Sequence, residues 1–177
     1  LREVGLRDLS QTQEDLEVLV CMEARSQRRR RETGGLVLVL AHALPLPAVE
    51  RVIRIVEIAP LPRAPEIVTG VVNIQGRVIP IVNIRRRFNM QERETEISDQ
   101  LVISRTSKRA VGIIVDEVTG VIECSGDEIV AAEKVLPGME YVEGVAKLSD
   151  GMIFIHNLDR FLSLEEEKAL DEAIQGP

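Results

Sequence analysis

The chain has 177 residues and a formal net charge of −7; 45% of its residues are hydrophobic, yet only Phe88, Tyr141, Phe154 and Phe161 are aromatic and Trp is absent. This length suits one domain or two small subdomains, and the apolar fraction excludes a disordered chain. No apolar run approaches the ~20 residues of a membrane helix, which argues against direct membrane insertion, and the acidic main body argues against nucleic acid as the chief partner.

The apolar mass is β-branched, with 22 Val and 17 Ile. Such side chains are stiff at χ1 and fit a pleated surface, which predicts a mainly β protein with an aliphatic core. Cys21 and Cys124 form no metal-type or redox-type pair, and no basic region followed by an apolar stretch opens the chain. Both features point to a reducing compartment and no signal peptide.

In chain order, Leu9, Leu16, Leu19, Val20 and Met22 fall at roughly helical spacing, and Thr12 with Asp15 resembles a capping box. This predicts an amphipathic helix over about 12–30, broken by Thr33-Gly34-Gly35. The run Arg28 to Arg31 has no interleaved aromatics and reads as a solvated linker. From Leu36 the period becomes that of strands. Residues 36–41 and 43–58 are extended, with prolines at 45 and 47 forbidding a regular helix, and 60–65 form a stiff connector.

Residues 70–88, GVVNIQGRVIPIVNIRRRF, read as strands 71–74 and 77–84 joined at Gln75-Gly76, where glycine supplies the positive φ of a tight hairpin. Pro80 lacks an N–H and places its strand at an edge or bulge. A polar stretch, 89–99, precedes strands 101–105 and 110–118, then 118–124. After a long connection over 126–140, strands 141–148 and 152–156 pair across 149–151. Ser163 and Glu166 form a capping box that opens a C-terminal helix.

The ordered segments 70–88, 111–122 (VGIIVDEVTGVI) and 144–163 (GVAKLSDGMIFIHNLDRFLS) resemble the CheW coupling proteins of chemotaxis-type signalling. The likeness spans roughly 34–165. It implies two SH3-like five-stranded β-barrel subdomains over 34–163, preceded by an N-terminal helical extension and basic linker (1–33) and followed by a C-terminal helix and tail (164–177). It also implies a non-catalytic cytoplasmic adaptor, associated with membrane receptor arrays through its partners. Those partners are the regulatory domain of a CheA-type histidine kinase, on an apolar face of the first subdomain, and the cytoplasmic tip of a chemoreceptor, in the groove between subdomains. The alternative is a CheW-like regulatory domain belonging to a larger kinase.

Carried over by position, the partner-binding candidates are Ile55, Glu57, Gly70, Gln75, Gly76 and Val115. Gly70 and Gly76 also suit a hairpin for backbone reasons alone, and Ile55 and Val115 suit a core. Glu57, between Val56 and Ile58, implies a wet face or an ion pair, with Arg54 as candidate partner. Gln75 stands where these proteins usually carry Arg, which removes a charge and a five-donor fork. Asn83 stands where Asp is common, the connector from Glu57 to Gly70 is short, and the turn at Ala41-His42 lacks the usual small glycine-containing loop.

An enzyme needs a constellation, and the residues supply none. His42 and His156 read as isolated, Cys124 as core filler, and the neighbours Asp116 and Glu117 point to opposite faces of a strand. No metal site and no cofactor is expected.

Overall fold

The period-two apolar segments become strands of two sheets. The computed structural model describes residues 16–23, 39–88, 90–135, 138–147 and 151–175. In chain order the strands are β1 (Leu16–Glu23), β2 (Val39–Pro45), β3 (Val49–Arg54), β4 (Val68–Ile74), β5 (Arg77–Val82), β6 (Gln100–Arg105) and β7 (Ala110–Val115). They continue as β8 (Glu117–Ser125), β9 (Ile129–Ala131), β10 (Val142–Lys147) and β11 (Gly151–His156). Single helical turns, α1 (Ile84–Arg87) and α2 (Ala132–Val135), and the longer α3 (Leu164–Gln175) complete the described fold.

The first barrel has the order β3-β6-β7-β5-β4. Its edges are brought together by the chain that leaves β3. Ile55 N–H still bonds the Asp99 carbonyl on the β6 side, whereas Ala59 exchanges two backbone hydrogen bonds with Val71 of β4, at 2.9 and 2.8 Å. One segment thus closes the sheet on itself, which removes its open edges. Pro80 is accommodated because β5 pairs with β7 only from Ile81 onward.

The second barrel has the order β8-β1-β2-β11-β10-β9. Its two outermost strands, β8 and β9, follow one another directly in the chain. A single 3₁₀ turn over 126–128 joins them, so the chain passes from one outer strand to the other without a long crossover. Here Glu128 bonds back to the Ser125 N–H at 3.0 Å, pinning the corner.

Three apolar layers result. Leu19, Cys21, Ala43, Ile153 and Ile155 fill the second barrel, and Val72, Ile79, Ile81, Leu101 and Ile103 fill the first. Between the barrels lies a third cluster containing Met22, Leu44, Val102, Val111, Ile113, Val115, Phe161 and Leu170. Strands β6 and β7 are therefore buried on both faces, which is why LVIS and AVGIIV read as nearly continuous apolar runs. The helix α3 follows the second barrel but inserts Leu170 into this shared layer, and Arg87 of α1 grips Glu166 at 2.6 Å. Its start is the expected reciprocal box, with Ser163 N–H on Glu166 at 2.7 Å and Glu166 N–H on Ser163 Oγ at 3.2 Å.

Two expectations are corrected. The predicted helix over 12–30 is contradicted at 16–23, which form β1, hydrogen-bonded to β2 on one side and β8 on the other. Two-sided sheet pairing outweighs a weak helical spacing whose Leu19 and Cys21 also alternate into a barrel. The rest of that prediction, including the Arg28 to Arg31 run, lies outside the described residues. The second sheet also has six strands where five were expected, since both β1 and the short β9 join it.

Candidate partner-binding site

The site is built on the β4–β5 hairpin. Ile74 faces Arg77 across the turn, and Gln75 and Gly76 both take positive φ, 54° and 82°, as a type I′ turn requires. Gln75 thus occupies a backbone region that favours glycine or asparagine. Asn73 supports it by accepting the Gly76 N–H at 2.9 Å. Arg77 then donates to Glu50 of β3 at 3.0 Å, and Arg105 of β6 donates to the same carboxylate at 3.1 Å. The hydrogen bond from Arg77 is the main reason the Glu50 carboxyl lies below its usual range.

Opposite the hairpin runs the closing segment 55–59. It leaves the regular strand at Arg54, so Val56 and Glu57 both face outward while Ile55 and Ile58 turn to the barrel core. The two walls enclose a shallow groove of about 750 Å³, lined chiefly by Ile53, Val56, Ala59, Val71 and Ile74, with Glu57 and Gln75 among its polar members. An apolar floor with a few polar groups at the rim is the usual make-up of a protein-binding surface.

Gly70 is what lets the walls approach. A Cβ there would lie 2.2 Å from the Ala59 carbonyl oxygen and 2.8 Å from Ile58 Cγ2. Gly70→Ala is therefore expected to push the closing segment off β4 and to cost about 1–3 kcal/mol of stability. The urea midpoint measures this; an unchanged midpoint would mean that the approach is not a constraint.

The sequence-derived candidates fall into three groups. Glu57 and Gln75 line the groove, Gly76 is exposed at its turn, and Gly70 is buried beneath it. Ile55 packs on the first barrel's interior. Val115, 1% exposed, offers a partner no surface and belongs to the layer between barrels, a correction to its candidacy as a direct contact. Its neighbours on both faces of β7 explain why. Glu57 forms no salt bridge with Arg54 among the described residues and is simply wet. Val56, Val71 and Ile74 were missed, because a period-two pattern cannot show that the chain leaves its sheet at Arg54.

The three consecutive arginines of α1, Arg85, Arg86 and Arg87, are all engaged in ion pairs. The Asn83 side chain caps α1 by accepting the Arg85 N–H at 3.0 Å, a role Asn and Asp fill equally well. Arg85 binds Asp116 bidentately, both contacts 2.8 Å, and Arg86 pairs with Glu92 at 2.9 Å. Asp116 also takes Arg93, which in turn holds Asp99.

The two histidines, isolated in sequence, meet. His42 of β2 and His156 of β11 share a hydrogen bond, Nδ1 to Nε2, at 2.9 Å. Phe88, from the first barrel's exit, lies 4.7 Å from each ring. Tyr141, Phe154 and Phe161 complete the group, so every aromatic side chain of the protein gathers around this pair at the boundary between the barrels. Burial lowers the His42 pKa to about 4, and burial followed by repulsion from His42 lowers that of His156 to about 3. Near-neutral pH leaves both rings uncharged. They form a packed joint, and among the described residues no group of three or more His, Cys, Asp or Glu is placed to hold an ion.

Two barrel-like sheets locked by one core, with an open apolar groove on the first, define a two-barrel interaction fold. The chain belongs to the CheW-like domain family, whose model matches residues 37–166. It is similar to the chemotaxis protein CheW of Treponema pallidum, 26% identical over 135 residues, covering 73% of this chain and 79% of that one. It is also similar to the chemotaxis protein CheW of Rhizobium meliloti, 30% identical over 112 residues, 62% of this chain and 72% of the other. The crystal structure of the scaffolding protein TtCheW from Thermoanaerobacter tengcongensis superposes with a TM-score of 0.70 at 24% identity, over 85% of this chain and 90% of that one, and so shares the fold.

Proposed function

We propose that this protein is a non-catalytic chemotaxis adaptor that joins the regulatory domain of a CheA-type histidine kinase to the cytoplasmic tips of chemoreceptors. The observation that carries this reading is the apolar groove on the first barrel, where Val56 is exposed and Val71 and Ile74 are half-buried. The kinase domain occupies that groove, and the receptor tip lies toward the boundary between barrels. The shared apolar layer and the α3 brace hold the barrels at a set angle, so a partner on one is held at a fixed distance from a partner on the other. Coupling then works by geometry, without a chemical step. The protein acts in the cytoplasm, held at receptor arrays by its partners.

Titration against the kinase regulatory domain and a receptor-tip hairpin tests this, since at ~100 μM even weak transient contacts register. Val56→Asp places an unpaired charge on the groove floor and is expected to weaken kinase binding at least about tenfold. Wild-type protein that bound neither partner would overturn the adaptor reading. Wild-type affinity in Val56→Asp would move the kinase contact elsewhere.

A further inference from the structure

The most exposed large apolar side chain among the described residues is Ile97, at 92%. It sits at the tip of a turn that the rest of the molecule holds rigid. The Asp99 N–H bonds the Glu96 carbonyl at 3.0 Å, and the Asp99 side chain accepts the Glu96 N–H at 2.8 Å. Arg93 clamps the same carboxylate and ties it to Asp116, itself gripped by Arg85. Asp99 is buried, so this brace is shielded from salt. None of it uses the Ile97 side chain, whose apolar surface contributes nothing to the fold.

The turn is also fastened to the groove. Asp99 accepts the Ile55 N–H at 3.0 Å, next to Val56 on the closing segment that forms the groove wall. The turn that carries Ile97 is thereby tied through Asp99 to the residue before Val56, and presents Ile97 as a stiff β-branched knob on a pre-ordered turn, which avoids much of the entropy cost of binding. Its surroundings are acidic. Glu94 and Glu96 are exposed beside it, Glu96 only 3.7 Å from Arg93, while Glu94 makes no salt bridge among the described residues.

We propose that the braced turn Glu96–Asp99 is a second contact element for the protein that fills the groove, seating Ile97 in an apolar socket rimmed by lysine or arginine side chains. This rests on the groove reading above. The acidic flanks select a basic rim and steer the approach, and the knob supplies specificity that a shallow groove lacks.

The test uses the full chain and the regulatory domain of the CheA-type kinase, with Ile97→Ser, Glu94→Lys and Val56→Asp measured in parallel by calorimetric titration at low and moderate salt. Ile97→Ser is expected to melt with the wild type, because it removes no contact, and to bind roughly 5- to 30-fold more weakly. Glu94→Lys is expected to weaken binding most at low salt and to flatten its salt dependence. Binding lost in Val56→Asp but kept within twofold by both turn variants would overturn this inference and leave the groove reading intact. Wild-type affinity in all three would overturn both.

Discussion

Replacing Asp116 by alanine is expected to destabilise the protein by about 3–5 kcal/mol, because it leaves a buried guanidinium without its carboxylate. Arg85 and Asp116 are both nearly inaccessible, with side chains 9% and 6% exposed, and their bidentate contact is 2.8 Å at each oxygen. The same carboxylate receives Arg93, so its loss also loosens the turn Glu96–Asp99. Urea denaturation reads the first effect, and faster amide exchange at Glu96 and Asp99 reads the second. Combining Arg85→Met with Asp116→Leu is expected to regain much of the loss, since an apolar pair of similar volume avoids burying a lone charge. A loss below about 1 kcal/mol in Asp116→Ala would show that Arg85 finds water when its partner is removed.

The second large effect is expected in mild acid. His42 and His156 protonate near 6.5 in the unfolded chain, whereas in the fold burial lowers them to about 4 and about 3. Between these limits the unfolded state binds more protons than the native state, so stability is full above pH 6.5 and is lost as pH falls toward 4. Each histidine costs about 1 kcal/mol between pH 6.5 and 5.5, where the unfolded ring is only partly charged, and the pair about 2 kcal/mol. The hydrogen bond between the rings needs one donor and one acceptor nitrogen, so two imidazolium groups cannot share it. Unperturbed carboxyl groups have pKa values of ~4, which leaves pH 6.5 to 5.5 to the histidines. His42→Gln with His156→Gln keeps polar groups that can bond to one another but removes the titration. Denaturation midpoints at pH 7.5, 6.5 and 5.5 are expected to fall steeply in the wild type and hardly at all in the double variant. Equal slopes would sink this account.

Much of the fold was legible because its rules are local. Gln75-Gly76 between two apolar alternations announces a hairpin, Ser163 and Glu166 announce a helix start, and the excess of Val and Ile announces sheets. The site was less legible. Glu57 and Gln75 emerged only through family likeness, and Val56, Val71 and Ile74 look like any core aliphatics until the chain is seen to leave its sheet after Arg54. The 16–23 segment misled because strand and helix periods overlap in so short a run, and only its pairing with β2 and β8 separates them.

The amino-acid sequence by itself determined most of the strand content, the turn chemistry and an aliphatic core, since χ1 stiffness, positive φ and capping act within a few residues. Tertiary structure alone decided which aliphatics are spent on packing and which remain exposed, as Val115 and Ile97 illustrate from opposite ends. It also gathered the few rings and both histidines, 114 residues apart, into one joint between the barrels. The physical reason is that burial and electrostatic pairing depend on which segments meet, and a closed two-barrel fold sets those meetings across the whole length of the chain.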